Sequence, residues 1–250
     1  MAPQQNYGKT VSIMDVQKKT VPVAVKVCGV TLAADVAHCL RRRVAYVGFN
    51  FYPGSKRYIT PVAAAGVWAA PSTGGHKGAV ATLPVAVIVK ASLAEVAQML
   101  LDFPALGVIQ VHGPQLVTAD YLRQLRQIIG ARPLWLAWPV ATAQEVAAAV
   151  TSYATLIDLL LFDSQHLPQG ASVAGGSGVA FDWQALSGCP EGLAFGVAGG
   201  LSADNIGALA AAIQPLRPVL LDLCSGVERV AGQKDTAMID AVLQATGGAW

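Results

Sequence analysis

The run Val25-Lys26-Val27-Cys28-Gly29 sets an ammonium two residues from a thiol. Side chains alternate along an extended chain, so Lys26 and Cys28 share one face and the two valines share the other. A cation beside a thiol lowers its pKa from about 8.5 and favours the thiolate, the reactive form of cysteine. Other reactive groups also stand where apolar runs stop. Leu159-Leu160-Leu161-Phe162 ends at Asp163, a carboxylate that is either a cap or a catalytic acid or base. Val219-Leu220-Leu221 ends at Asp222, and Gln110-Val111-His112-Gly113 puts Gln110 and His112 on a common face. A lone histidine in that setting is more often a positioned structural group than a catalyst. Arg57 lies in Gly54-Ser55-Lys56-Arg57-Tyr58 and carries forked donors suited to a carboxylate. Glycines cluster at Gly175-Gly176-Ser177-Gly178, Gly199-Gly200 and Ser225-Gly226. Singly these are loop markers; together they offer backbone N–H groups to a phosphate.

The elements that must position these groups alternate regularly. Strands are predicted at Ala24–Cys28, Val44–Phe49, Val85–Val89, Val108–Val111, Leu134–Ala137, Leu156–Phe162, Leu193–Val197 and Val219–Asp222. Helices are predicted at Ala33–Arg42, Leu93–Asp102, Ala119–Ile129, Ala143–Thr151, Ala203–Ile213 and Thr236–Ala245. A weaker helix follows Pro61, a short one starts near Asp182, and Ser202 is the expected cap of the helix after Gly200. Eight βα units in 250 residues predict an α/β fold with one TIM (β/α)8 barrel over 23–250, after a flexible extension at 1–22. The rival, an open doubly wound sheet, wants a glycine fingerprint after its first strand, and Cys28-Gly29-Val30-Thr31 is not one. In a closed barrel the last strand lies beside the first, so Asp222 is the expected partner of a buried Lys26. That pair is either catalytic or simply structural. The site belongs at the C-terminal ends of the strands, with phosphate at the seventh and eighth loops.

Composition narrows the classes further. Charged residues are 13% and apolar residues 54% of the chain, which excludes a disordered polymer and fits strands covered on both faces. The net charge of +2, without a basic stripe, points away from nucleic acid. Leu83 to Val89 is the best apolar run and is too short for a membrane span. No export signal is seen at the N-terminus, so a cytoplasmic protein is expected. The four cysteines, Cys28, Cys39, Cys189 and Cys224, have no zinc-ligand spacing and read as free thiols. Cys39 is expected to pack against the sheet, and Cys189, in a loop before Pro190, to be exposed and unactivated. Cys224 is expected to have no cation as near as Lys26 is to Cys28.

As an ordered set, the motifs resemble phosphoribosylanthranilate isomerase. They are Lys26 to Thr31, Gly48 to Tyr58, Gln110 to Gly113, Gly175 to Gly178 with Phe181-Asp182-Trp183, Gly199-Gly200-Leu201, Asp222 to Glu228, and Gly232-Gln233-Lys234-Asp235. The resemblance runs from about Val25 to the end of the chain. It implies a TIM barrel of tryptophan biosynthesis that carries out the Amadori rearrangement of N-(5-phosphoribosyl)anthranilate, with no cofactor and no metal. It implies that Cys28 is the general base, Asp163 the general acid and Arg57 the carboxylate ligand. Lys26, His112, Asp222, Gly176, Gly199, Gly200, Ser225 and Gly226 complete the expected substrate-binding set for a small phosphorylated molecule; the oligomeric state is not readable. Cys224 departs from the resemblance, standing where the family usually has a serine, and the loop from Pro71 to Thr82 is unusually rich in glycine. The alternatives are another phosphate-binding barrel such as an indole-glycerol-phosphate synthase, a hydrolase using Cys28 and His112, and a non-catalytic barrel.

Overall fold

The computed structural model describes residues 22–69, 81–114, 117–164 and 182–250. The extension expected at 1–22, all but its last residue, lies outside them, as do most of the Pro71–Thr82 loop, the Gly175–Gly178 cluster with Gly176, and Phe181.

Eight parallel strands close into a barrel: β1 Ala24–Cys28, β2 Tyr46–Asn50, β3 Leu83–Ile88, β4 Val108–His112, β5 Leu134–Val140, β6 Leu159–Ser164, β7 Phe195–Val197 and β8 Leu220–Leu223. Helices α1 Ala33–Arg41, α2 Pro61–Ala69, α3 Leu93–Asp102, α4 Ala119–Ile129 and α5 Ala143–Tyr153 follow the first five strands, and α6 Ile206–Ala212 and α7 Thr236–Ala249 come after β7 and β8. A 3-10 helix at Trp183–Gly188, capped by Asp182, precedes β7. A two-stranded hairpin, β9 Glu228–Val230 with β10 Gln233–Lys234, stands between β8 and α7 and was not expected from the sequence. Among the described residues, no helix is long and apolar enough to cross a membrane.

Local chemistry accounts for the helix starts. Ser92 and Thr142 each open a capping box, with Glu95 and Glu145 three residues on. Thr118 and Asp235 accept from the first-turn N–H groups of α4 and α7. The expected Ser202 cap is corrected. Here α6 begins later, at Ile206, and Asn205 folds back instead: its Oδ1 accepts from the Ser202 N–H at 2.9 Å and its amide donates to the Gly200 carbonyl at 2.8 Å. The side chain of Asn205 thus braces the loop after β7 rather than the helix.

Strand parity sorts the core into two layers. Val25, Val27, Val47, Phe49, Ile109, Leu160, Phe162, Leu221 and Leu223 face outward and pack under the helices. Val85, Val108, Trp135, Leu159, Leu161 and Leu220 fill the interior, joined by Tyr46, whose ring meets Trp135 edge-on at 4.7 Å. At 25 cal/mol per Å2, each large side chain so buried contributes about 1.5–3 kcal/mol before entropy is counted. β1 closes the ring against β8 in the register Ala24↔Leu220, Val25↔Leu221, Lys26↔Asp222 and Val27↔Leu223. Two cysteine expectations part here. Cys39 is fully buried, as expected, but Cys189 is also buried, packed in the outer core, and burial pushes its thiol up to about 12.

Candidate active site

The interior polar groups all sit toward the C-terminal ends of the strands. Lys26 is fully buried, and its Nζ donates to Asp222 Oδ2 at 2.6 Å across the β1–β8 seam. Burial works against the charge of Lys26, but Asp222 and Cys28 outweigh it and hold the ammonium above the usual lysine range. The other carboxylate oxygen, Asp222 Oδ1, is buried without a hydrogen-bond partner among the described residues. Gly48 on β2 leaves room for this cluster: a methyl group there would lie 2.9 Å from both Cys28 Sγ and Lys26 Cε.

Cys28 is held below the ordinary thiol range. The first cause is the side-chain hydrogen bond from Cys224; burial and Asp222 oppose it, and Lys26 adds both charge and a hydrogen bond. The sequence points to Lys26 for this effect and gives no sign of the part of Cys224. Cys224 is pushed well above the ordinary range, chiefly because it is the donor to Cys28, with burial adding to the effect. Cys224 has cations of its own: Lys234 and Arg57 both act on it, and Lys234 Nζ donates to its carbonyl oxygen at 3.2 Å.

Asp163 and His112 face one another at the ends of β6 and β4, with His112 Nδ1 3.9 Å from Asp163 Oδ2. Burial raises the Asp163 carboxyl above the usual range, while His112 and the Ser164 N–H, which donates to Oδ1 at 2.7 Å, pull the other way. Gly199 has φ +82°, and a methyl group at its α-carbon would fall 2.6 Å from Asp163 Oδ1. Only glycine fits that close approach in that conformation. Gly226 is equally constrained, since a side chain there would collide with the Leu201 carbonyl. The loops after β7 and β8 therefore pack backbone to backbone, and Ser225–Val227 forms a 3-10 turn beside Leu201 and Ser202.

Arg57 is held at the same rim. Its Nε donates to both oxygens of Glu228, at 2.9 and 3.0 Å, and its NH2 to Oε2 at 2.7 Å. Lys234 Nζ donates to Glu228 Oε1 at 2.6 Å. Burial raises the Glu228 carboxyl, and the two cations outweigh it and hold it low. The sequence singled out Arg57 but not the role of Glu228 or Lys234, although both stand in its last two motifs. The β9–β10 hairpin carries them, pinned to the first strand's loop by Thr31, whose hydroxyl donates to the Gly232 carbonyl at 2.6 Å, and by Asp35, which accepts from the Lys234 N–H at 3.1 Å.

The assembled rim thus offers a depressed thiol, an elevated carboxyl, an ion-paired arginine and two closely packed glycine loops. These elements suit proton transfer on a small anionic substrate. Comparison with known proteins agrees with that chemistry. The N-(5'phosphoribosyl)anthranilate (PRA) isomerase family model matches residues 25–245. An N-(5'-phosphoribosyl)anthranilate isomerase of Brucella canis is 34% identical over 225 residues, 90% of this chain and 94% of that one. The crystal structure of phosphoribosyl anthranilate isomerase from Thermotoga maritima superposes with a TM-score of 0.73 at 26% identity, covering 90% of this chain and 99% of that one. A second such structure, in complex with reduced 1-(o-carboxyphenylamino)-1-deoxyribulose 5-phosphate, gives a TM-score of 0.70 at 23% identity, covering 90% and 99%. This chain belongs to the phosphoribosylanthranilate isomerase family, the isomerases of tryptophan biosynthesis.

Proposed function

We propose that this isomerase uses Asp163 as its general acid and Cys28 as its general base. The observation that supports the assignment most is the opposite displacement of the two groups within one barrel mouth. The carboxyl is shifted toward holding a proton and the thiol toward giving one up. Asp163 protonates the ribose ring oxygen, the C1–O bond breaks, and the nitrogen lone pair forms an iminium at C1. The iminium acidifies the C2 proton, and the Cys28 thiolate removes it to leave an enolamine. Protonation at C1 and loss of the O2 proton give the ketone. Product and substrate are isomers, so the proton given and the proton taken cancel, and both groups return to their resting forms by exchange with solvent.

Arg57 binds the substrate carboxylate with the N–H donors that Glu228 does not use. The N–H groups of Gly199, Gly200, Ser225 and Gly226 receive the phosphate. Gly176, outside the described residues, joins them in this reading. Asp222 Oδ1 accepts a substrate hydroxyl, while Lys26 and His112 hold Asp222 and Asp163 in place. The free thiols suit a reducing cytoplasm.

The test is loss of anthranilate fluorescence on adding freshly made phosphoribosylanthranilate. Cys28→Ala and Asp163→Asn should each lower kcat about 100- to 10,000-fold with the fold intact. Near-normal turnover in either variant removes that residue from the mechanism.

A further inference from the structure

The register of the closing seam pairs Lys26 with Asp222 and Val27 with Leu223, so the next step up brings Cys28 beside Cys224. Parity puts both on the interior face: Leu221 and Leu223 point outward with the valines, while Asp222 and Cys224 fall on the side of Lys26 and Cys28. At Cys224 φ is −126°, an extended value that keeps its side chain in the strand's alternation, and its ψ of −86° starts the turn. Adjacent strands lie about 4.8 Å apart, so two in-register side chains on one face are neighbours. We propose that Cys224 is a positioning residue for the base, donating its S–H to the Cys28 sulfur and holding it as the thiolate. The proposal rests on the reading of Cys28 as general base.

Charge placement decides which sulfur is the acceptor. Facing the pair are Lys26 from β1, Asp222 from β8, Arg57 from the loop after β2 and Lys234 from β10. Cys28 has Lys26 beside it, Sγ and Cε closing on the same point above Gly48, and Cys224 across the seam. Among the described residues, the Cys224 thiol faces Cys28, while Lys234 donates to the Cys224 carbonyl and, with Arg57, acts on the thiol through space while engaged with Glu228. The negative charge therefore settles on Cys28. Its directed donor is supplied by β8, and Lys26, shared with Asp222, is not left to do this alone.

The experiment is the pH dependence of iodoacetamide alkylation at each cysteine, read by peptide mapping, alongside the pH profile of kcat/KM. In Cys224→Ala the midpoint for Cys28 should rise by about one to two pH units, the effect of one lost hydrogen bond to a charged group. The acid limb of kcat/KM should rise with it. Cys224→Ser, whose hydroxyl can donate in the same place, should restore both. The reciprocal holds in Cys28→Ala: Cys224 should alkylate at lower pH than in the unaltered chain, because it no longer serves as donor and its two cations remain. This second variant carries the test if Cys224→Ala does not fold. An unmoved Cys28 midpoint in a folded Cys224→Ala, no rescue by serine, or an unmoved Cys224 midpoint in Cys28→Ala overturns the proposal. A moved Cys28 midpoint with an unmoved kcat/KM limb instead overturns the reading of Cys28 as base and leaves the thiol pair standing.

Discussion

The lower and upper halves of the barrel interior are built from the same strands but from different residues. Along the inward face, β4 runs Val108, Gln110, His112; β6 runs Leu159, Leu161, Asp163; and β8 runs Leu220, Asp222, then Cys224. β1 follows with Ala24, Lys26, Cys28. Every second residue is one step from apolar filler toward reactive group. The lower layer gains its stability from burial and packing, which any well-fitting apolar set supplies. The upper layer contains charged groups and a thiol held below its ordinary range, each set against a specific partner. Stability and catalysis are thus separated by two or three residues along one strand, and substitutions at matched heights should separate them experimentally.

The largest expected effect lies at the top. The losses set out for Cys28→Ala and Asp163→Asn should come with a melting temperature close to that of the parent, by thermal denaturation; a large fall in melting temperature would place these residues in the lower class. One layer down, Lys26→Met leaves Asp222 buried without its counter-charge and should cost about 3–5 kcal/mol in chemical denaturation. Combining it with Asp222→Leu should recover most of that stability but little activity. At the bottom, Leu220→Ala should cost about 2–5 kcal/mol while kcat of the folded enzyme stays nearly unchanged. Arg57→Ala sharpens the boundary: KM should rise about tenfold or more. Stability should fall by about 1.5–3 kcal/mol, since the charged hydrogen bonds to Glu228 are lost and Lys234 keeps that carboxylate paired.

The smallest effect is one of pH. Asp163 is raised in the folded state, so above the unfolded carboxylate value the unfolded chain binds fewer protons than the folded one. Its contribution is destabilising, absent at acid pH and growing as pH rises through the folded pKa. Asp163→Asn should therefore have the shallower fall in melting temperature between acid and neutral pH. The opposite slope would mean that Asp163 is stabilised as the carboxylate.

How much of this was legible follows from what is local. A period of two is a property of the chain itself, so the inward turn of Lys26 and Cys28, the outward turn of Val25 and Val27, and the eight-fold alternation were all open to reading. Closure then made Asp222 the neighbour of Lys26, because a ring has no edge and the last strand must meet the first. The cluster of Arg57, Glu228 and Lys234 was not legible in the same way. It depends on how a hairpin after β8 folds back over the mouth, and Arg57 and Glu228 are 171 residues apart. Cys224 was seen as a neighbour but not as a donor, since parity gives a face and says nothing of which of two thiols keeps its proton. Cys189 was misread because a loop position before proline suggests exposure, whereas the 3-10 helix that ends at Gly188 turns it into the core.

The seam between β1 and β8 has a consequence for how the enzyme is made. Lys26 meets its counter-charge 196 residues later, Thr31 reaches Gly232, and Asp35 receives the Lys234 N–H. During synthesis the first strand leaves the ribosome long before the last one exists, and domains acquire structure in that order. Until Asp222 emerges, a collapsed nascent chain must either leave Lys26 in water or bury it uncompensated, which keeps the first strand from settling into a closed sheet. The thiol of Cys28 meanwhile has neither Cys224 nor a fixed Lys26 and behaves as an ordinary cysteine. Reactivity is therefore withheld until the eighth strand has emerged, and chains that terminate before Asp222 are born without an activated thiol.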